Sequence, residues 1–128
     1  MSKVDFSVSI ESHLPEASEA LVKALEMWCE LTGGEMVNLT HRDKNDRGTP
    51  VDTGRLRNSM AHAAADDYKT VYIGTNVEYA EYVEDGTSRA DYGFGKGVGA
   101  HMLRNAVMDV GDKSKEYLQL ALESQNLG

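Results

Sequence analysis

The chain has 128 residues, a length typical of one domain around a single hydrophobic core. Hydrophobic residues make up 41% of it and charged residues 27%, and no apolar run reaches the about 20 residues that cross a bilayer, so we expect no membrane partner. Thirteen Lys and Arg against 21 Asp and Glu give a formal net charge of −8, which argues against sequence-specific DNA recognition.

The first half of the chain predicts a strand, a helix and a loop. Apolar and polar residues alternate over residues 4–10, the period of a strand with one buried face. This opening segment lacks the continuous apolar stretch of a signal peptide, so we expect a cytosolic protein. Apolar residues then recur at steps of three and four, which predicts a helix over residues 15–31 that Gly33-Gly34 stops or kinks. The polar residues 40–50 are typical of a loop.

The second half predicts a hairpin between two short helices. Residues 53–58 fit a helical turn, and the two runs that flank Asp66-Asp67 are predicted to pair as antiparallel strands. A short helix over residues 77–85 is expected to end at Gly86, because glycine adopts a left-handed conformation at a helix end without a Cβ penalty.

The last segment predicts a loop and one helix. Five glycines within residues 86–100 predict a flexible loop, since the segment buries too little apolar surface to offset its backbone entropy. An apolar stripe over residues 103–121 predicts a final helix despite Gly111. The predicted fold class is α+β, a small antiparallel β-sheet packed against a long N-terminal helix and a C-terminal helix, with a Gly-rich extended loop, in one domain over residues 1–128.

Residues 52–54 are Asp-Thr-Gly, the signature around the catalytic aspartate of retroviral-type aspartic proteases. With one copy of it, a chain this short could act only as a homodimer. The guanidinium groups of Arg55 and Arg57 would hold Asp52 ionised, whereas the catalytic dyad needs one neutral carboxyl. The favoured interpretation is that Asp52 or Thr53 accepts a backbone N–H at the start of a helix.

No other segment predicts a cofactor or metal site. Residues 95–100 match G-x-G-x-x-A ahead of a helix, but no buried strand precedes them, as a dinucleotide-binding turn requires. The four histidines lack metal-ligand spacing. Cys29 stands alone in an apolar helical pattern, which predicts a buried thiol. We therefore expect no catalytic residue, no cofactor and no metal.

Charge is distributed unevenly along the chain. Residues 41–57 carry five basic side chains against three acidic ones, and residues 77–91 carry five acidic side chains against one basic. The basic segment could be solvated, pair with an acidic neighbour or contact phosphates. Tyr72, Tyr79 and Tyr82 could stack on bases, although core packing with hydroxyls at the rim is favoured.

Three motifs follow one another: PVDTGRLRNS at 50–59, VYIGTNVEYAEYVEDGTSR at 71–89 and HMLRNAV at 101–107. As a set they resemble the small neck and tail-completion proteins of long-tailed double-stranded-DNA phages, the head–tail joining or minor tail components. The third motif departs from that family, which carries proline and phenylalanine where this chain has His101-Met102. The structural residues of the motifs are Pro50, Asp52, Thr53, Gly54, Leu56, Ser59, Gly74, Tyr79, Tyr82, Gly86 and Thr87.

The resemblance implies a structural virion protein without enzymatic activity, assembled in the host cytoplasm. Such a subunit would form a homo-oligomeric ring, hexameric or dodecameric, against adjacent neck, connector or tail proteins. Double-stranded DNA would pass through the channel without sequence-specific binding. The alternatives are a homodimeric aspartic protease built on Asp52-Thr53-Gly54 and a small nucleic-acid-binding module.

The resemblance also places expectations on particular residues. We expect Arg55 and Arg57 of one subunit to face Glu81, Glu84 or Asp85 of the next, because a ring needs two different complementary patches on each subunit. Surplus negative charge is expected to line the channel, so that counterion release does not hold the genome. The loop at 86–100 is expected to become ordered against a neighbouring ring. Tyr79 and Tyr82 are expected to pack the short helix at 77–85.

Overall fold

The computed structural model describes residues 4–9, 18–50, 54–86 and 97–127. Within these ranges lie three strands and five α-helices: β1 (Val4–Ser9), α1 (Glu19–Thr40), α2 (Arg55–Asn58), β2 (Ala61–Ala64), β3 (Thr70–Thr75), α3 (Ala80–Asp85), α4 (Met102–Asp109) and α5 (Gly111–Ser124). Several predictions lie outside the described residues, namely Ile10 in the first strand, the helix start at 15–17, Asp52, Thr53, Thr87 and the loop between residues 87 and 96.

The sheet has β3 at its centre, with β1 and β2 paired antiparallel on its two sides. Its faces differ: Val71 and Ile73 of β3 are completely buried, whereas Tyr72 between them is 42% exposed. Helix α1 packs on β2 and β3, and α4 packs near β1, all on the buried face. This arrangement confirms an α+β fold with helices on one face of a small antiparallel sheet, and it confirms the predicted hairpin.

Helix α1 is longer than the sequence predicts. It starts at the N-cap Ser18, whose hydroxyl accepts from Leu21 N (3.1 Å), and it continues through Gly33-Gly34 to Thr40 without ending there. A stop at the glycines was therefore wrong, because burial of Trp28 and Met36 on the same helix stabilises it beyond local propensity. The loop predicted at 40–50 begins one residue later than predicted, because Thr40 is still part of α1.

Gly33 marks a close approach between α1 and β2. A Cβ at this position would lie 2.9 Å from the Cβ of His62 and overlap its imidazole ring, so only glycine lets the strand pass this closely. A Cβ at Gly34 would meet nothing within 4 Å. The two adjacent glycines therefore differ completely in what they contribute to packing.

The predicted final helix is two helices, α4 and α5, which meet at Val110. Helix α4 packs on α1 and β1, whereas α5 packs along α1, so the chain changes direction to follow two different surfaces. Trp28 Nε1 donates to both the carbonyl oxygen (3.0 Å) and the hydroxyl oxygen (3.2 Å) of Ser114. This buried pair of hydrogen bonds fixes α5 against α1.

Cys29 is a buried thiol, as predicted. It is 3% exposed, and its Sγ donates to Tyr68 O at 3.3 Å. Burial, with a smaller contribution from the nearby Glu30, raises the pKa of the Cys29 thiol to about 11. The side chain therefore stays protonated and acts as part of the core.

None of the helices in the described part of the chain is both long and apolar enough to cross a membrane.

Candidate subunit-interaction region

Hydrogen bonds between hydroxyl groups connect the first motif, at 50–59, to the second, at 71–89. Helix α2 follows Gly54, whose φ of 82° suits glycine, and it buries Leu56 in the core. Ser59 Oγ donates to Leu56 O (2.6 Å) and lies 2.5 Å from Thr75 Oγ1 at the end of β3. Thr75 Oγ1 in turn accepts from Val77 N (3.1 Å). Ser59 and Thr75 therefore hold α2 against the end of the central strand.

A buried acidic residue of the second motif, Glu84, has its partners inside the subunit. Glu84 is 1% exposed, and its two carboxylate oxygens accept from Leu103 N (2.8 Å) and Arg104 N (3.3 Å) in the first turn of α4. A carboxylate is favourable there because the first N–H groups of a helix have no partner within the helix. Burial raises the pKa of Glu84, and the two backbone hydrogen bonds oppose that rise. Glu84 thus joins α3 to α4.

Glycines bring the chain back to the end of α3 after the loop. Gly86 has a φ of 86°, and a Cβ there would lie 2.7 Å from Gly97 O. Its ψ of 163° is extended, so the positive φ expected at this helix end is present but the left-handed helical conformation is not. Ala100 N donates to Val83 O (2.7 Å), and His101 N donates to Glu84 O (3.1 Å). Both ends of the 86–100 segment are therefore anchored on α3.

Arg55 has partners within its own chain. Its guanidinium donates to both carboxylate oxygens of Glu78 (3.2 and 3.0 Å) and lies 5.6 Å from the ring centre of Tyr79. Hydrogen bonding to Glu78 raises the pKa of Arg55, which keeps the group charged. The start of α2 is thereby linked to the residues just before α3, so the predicted basic and acidic segments are neighbours on one subunit.

The exposed face of α3 carries charge and one tyrosine. Glu81 and Asp85 are exposed, and so is Tyr82, at 57%. The expectation that Tyr82 packs the short helix was wrong, because Ala80 and Val83 occupy the buried positions of the helix and Tyr82 falls on the opposite side. Tyr79 is half-buried beside Arg55, as a packing residue should be.

Two arginines of the basic loop share one carboxylate. Arg42 Nη2 and Arg47 Nε both donate to Asp109 Oδ2, at 2.8 and 2.7 Å. The hydrogen bond from Arg47 and that from Arg42 lower the pKa of Asp109, and partial burial opposes them. Asp109 lies 62 and 67 residues away along the chain, and no sequence pattern connects it to the loop. Three interpretations were considered for the basic segment, and Arg42 and Arg47 fit the one in which basic residues pair with an acidic neighbour.

Arg57 remains as a partly exposed basic side chain in α2, and no ion pair to it is found among the described residues. Its carbonyl oxygen lies 2.9 Å from His41 Nε2. Within the described ranges, no group of three or more His, Cys, Asp or Glu side chains could hold a metal ion. The region therefore offers contact surface and hydrogen-bonded scaffold, with Arg57, Glu81, Tyr82 and Asp85 as its exposed members.

Comparison with known proteins gives one family. The model of the HK97-gp10-like family, described as "Bacteriophage HK97-gp10, putative tail-component", matches residues 6–86. No curated protein and no solved structure matches the chain significantly. The matched segment runs from β1 to the end of α3 and contains Ser59, Thr75 and Glu84, whereas α4 and α5 lie beyond it. The chain therefore belongs to the HK97-gp10-like family of bacteriophage tail components.

Proposed function

We propose that this protein is a ring-forming neck or tail-completion subunit at the head–tail junction, through which double-stranded DNA passes. The family match over residues 6–86 carries the proposal, because it covers most of the described fold and names a tail component. Membership of such a family implies a virion location and contacts with other virion proteins. The adjacent neck, connector or tail rings are the proposed partners.

The exposed members of the interaction region support a contact between subunits. A cyclic ring is built from heterologous interfaces, in which one patch of a subunit meets a different patch of the next. Arg57 is a candidate for the first patch, and Glu81 and Asp85 are candidates for the second. Arg55 lies beside the first patch, with its charge balanced by Glu78 of its own subunit, and Glu84 supports the second patch by fixing α3 on α4.

Net charge supports passage of DNA without retention. The chain has a formal charge of −8, and Arg42 and Arg47 are already paired with Asp109. A wall that neutralises few phosphates releases few counterions, so it does not hold the genome. The hydrogen-bonded roles of Ser59, Thr75 and Glu84 are structural, which favours a protein without enzymatic activity.

Native mass spectrometry of the purified protein over a range of ionic strengths tests the ring directly, with negative-stain imaging of any large species. We expect a closed hexamer or dodecamer that does not retain duplex DNA at physiological salt. In a phage that lacks the protein, we expect filled heads and finished tails that fail to join. Normal joined virions in that phage would contradict the proposal, and so would a ring that binds duplex DNA tightly.

A further inference from the structure

The sheet has a free edge on β2. Ala65 N donates to Thr70 O (2.9 Å), which makes these two residues a hydrogen-bonded pair of the antiparallel ladder. Hydrogen-bonded and non-hydrogen-bonded pairs alternate in such a ladder, so the backbone groups of His62 and Ala64 point away from β3. Within the part of the chain that the structure describes, no other strand lies on that side.

Among the described residues, β1 has a second free edge, at the opposite side of the sheet. Strand β3 uses alternate residues for its two neighbours, so Val71 and Ile73 bond to β1. The backbone groups of Ser7 and Ser9 therefore point outward from β1. One subunit thus presents two different unpaired edges, separated by the width of three strands.

The edge of β2 lacks most of the features that prevent pairing between chains. Natural edge strands are protected by charged side chains, by proline or by a bulge. Residues 61–65 read AHAAA, with no charge and no proline, although 27% of the whole chain is charged, and the register with β3 has no bulge. Ala61, Ala63 and Ala64 are exposed.

The one protective feature of β2 is its length of four residues. So short a junction supplies few hydrogen bonds, so a single pair of subunits would be held weakly. Closing a ring gives every subunit two junctions at once, which raises the effective concentration at the last contact. A short edge is therefore compatible with a closed ring and unfavourable for a lone pair.

We propose that the free edge of β2 receives β1 of a second copy of this chain, so that the sheet continues from subunit to subunit. This inference rests on the proposed ring and assigns one of its interfaces. Strands β1 and β2 are both antiparallel to β3, so they run in the same direction. A neighbour related by a rotation that preserves strand direction presents β1 parallel to β2, and the two edges meet as a heterologous contact.

Amide hydrogen exchange on the wild-type protein tests the junction, with exchange carried out on the free chain and on the assembly and read by NMR after dissociation. The amides of His62, Ala64, Ser7 and Ser9 are expected to exchange fast in the free chain and at least tenfold more slowly in the assembly. The amides of Ala63 and Ala65 face β3 and are expected to be protected in both. An assembly in which His62 and Ala64 still exchange fast overturns the junction and leaves the proposed ring standing.

Proline substitutions test the same edges by removal of an outward N–H. Ala64→Pro and Ser7→Pro each spoil one edge, and we expect each variant alone to be a folded monomer with the circular dichroism of the wild type. Their equimolar mixture has one intact β1 edge and one intact β2 edge, so it should form only a weak heterodimer, detectable at high protein concentration, and nothing larger. Ala64→Val retains the N–H and is expected to assemble like the wild type.

Three further outcomes overturn the proposal. Wild-type assembly by either proline variant shows that its edge is not used. A stable dimer in which only His62 and Ala64 become protected shows pairing of β2 with β2, which removes β1 as the occupant. A wild-type chain that never self-associates contradicts the proposed ring and this junction together, whereas the first two outcomes contradict the junction alone.

Discussion

At the scale of single residues, Gly33 and Gly34 form a natural matched pair. Gly33→Ala forces a Cβ against His62 of β2, and overpacking of this kind costs about 1–3 kcal/mol of unfolding free energy. Gly34→Ala fills open space in a helix interior and should stabilise the protein by about 0.5–1 kcal/mol. Urea unfolding of both variants, followed by emission of the single tryptophan, measures the difference. Equal effects of the two substitutions would contradict the assigned close approach.

Glu84 gives a pH dependence whose sign follows from burial. Its folded pKa is raised above the ordinary value of 4.5, so the unfolded chain loses its proton first as the pH rises. The contribution of Glu84 to the free energy of unfolding is fully present below pH 4.5 and is lost as the pH rises through the folded pKa. Glu84→Gln does not titrate and leaves one N–H of α4 facing an amide donor, at a cost of about 1–3 kcal/mol.

The stability advantage of wild type over Glu84→Gln should therefore be largest near pH 4 and decrease toward pH 7. Urea unfolding at several pH values measures it, with Glu81→Gln on the exposed side of the same helix as the control. An advantage that grows with pH would mean that the hydrogen bonds from Leu103 and Arg104 outweigh burial of the charge.

At the scale of elements, Asp109 couples the end of α4 to the loop at 41–50. Arg47 and Arg42 lower its pKa below the ordinary 3.8, so stability from this carboxylate is present above pH 3.8 and is lost as the pH falls through the folded pKa. Asp109→Asn should cost at most about 1 kcal/mol near neutral pH, because such pairs are partly exposed and screened by salt.

That cost should shrink both in acid and in high salt. Thermal unfolding at two pH values and two salt concentrations measures it, with Glu26→Gln, an exposed carboxylate of α1, as the control for a general charge effect. A cost that persists in acid would indicate that Asp109 acts through packing and not through its charge.

The elements that the sequence predicts well are those with a regular apolar period. Alternation over residues 4–10 predicts β1, and helical spacing predicts α1, because these patterns reflect burial on one face. The close packing at Gly33 and the break at Val110 were not predicted. His62 decides the first and the surface of α1 decides the second, and both lie in distant parts of the chain. Glu84 was expected at an interface for the same reason: its partners lie 19 and 20 residues ahead, beyond the loop.

At the scale of the whole molecule, the charges of α2 and α3 are proposed to act between subunits. Arg57→Glu places like charges together at the proposed contact with Glu81 and Asp85 of the next subunit. The variant should weaken assembly by about tenfold in dissociation constant at low salt and less at high salt. Arg55 is left unchanged because it already bonds to Glu78, so its reversal would also break a contact within the subunit.

A charge-swap cycle separates a direct contact from a general charge effect. Glu81→Arg with Asp85→Arg should weaken assembly alone, and in combination with Arg57→Glu it should restore assembly toward the wild-type level. Lys115→Glu makes the same charge change on the exposed side of α5 and should leave assembly unaffected. Analytical ultracentrifugation at two salt concentrations measures the assembly of all variants. Additive losses without rescue would show that the two patches do not meet, and the contact between subunits would then have to lie elsewhere, with the strand edges as the remaining surface.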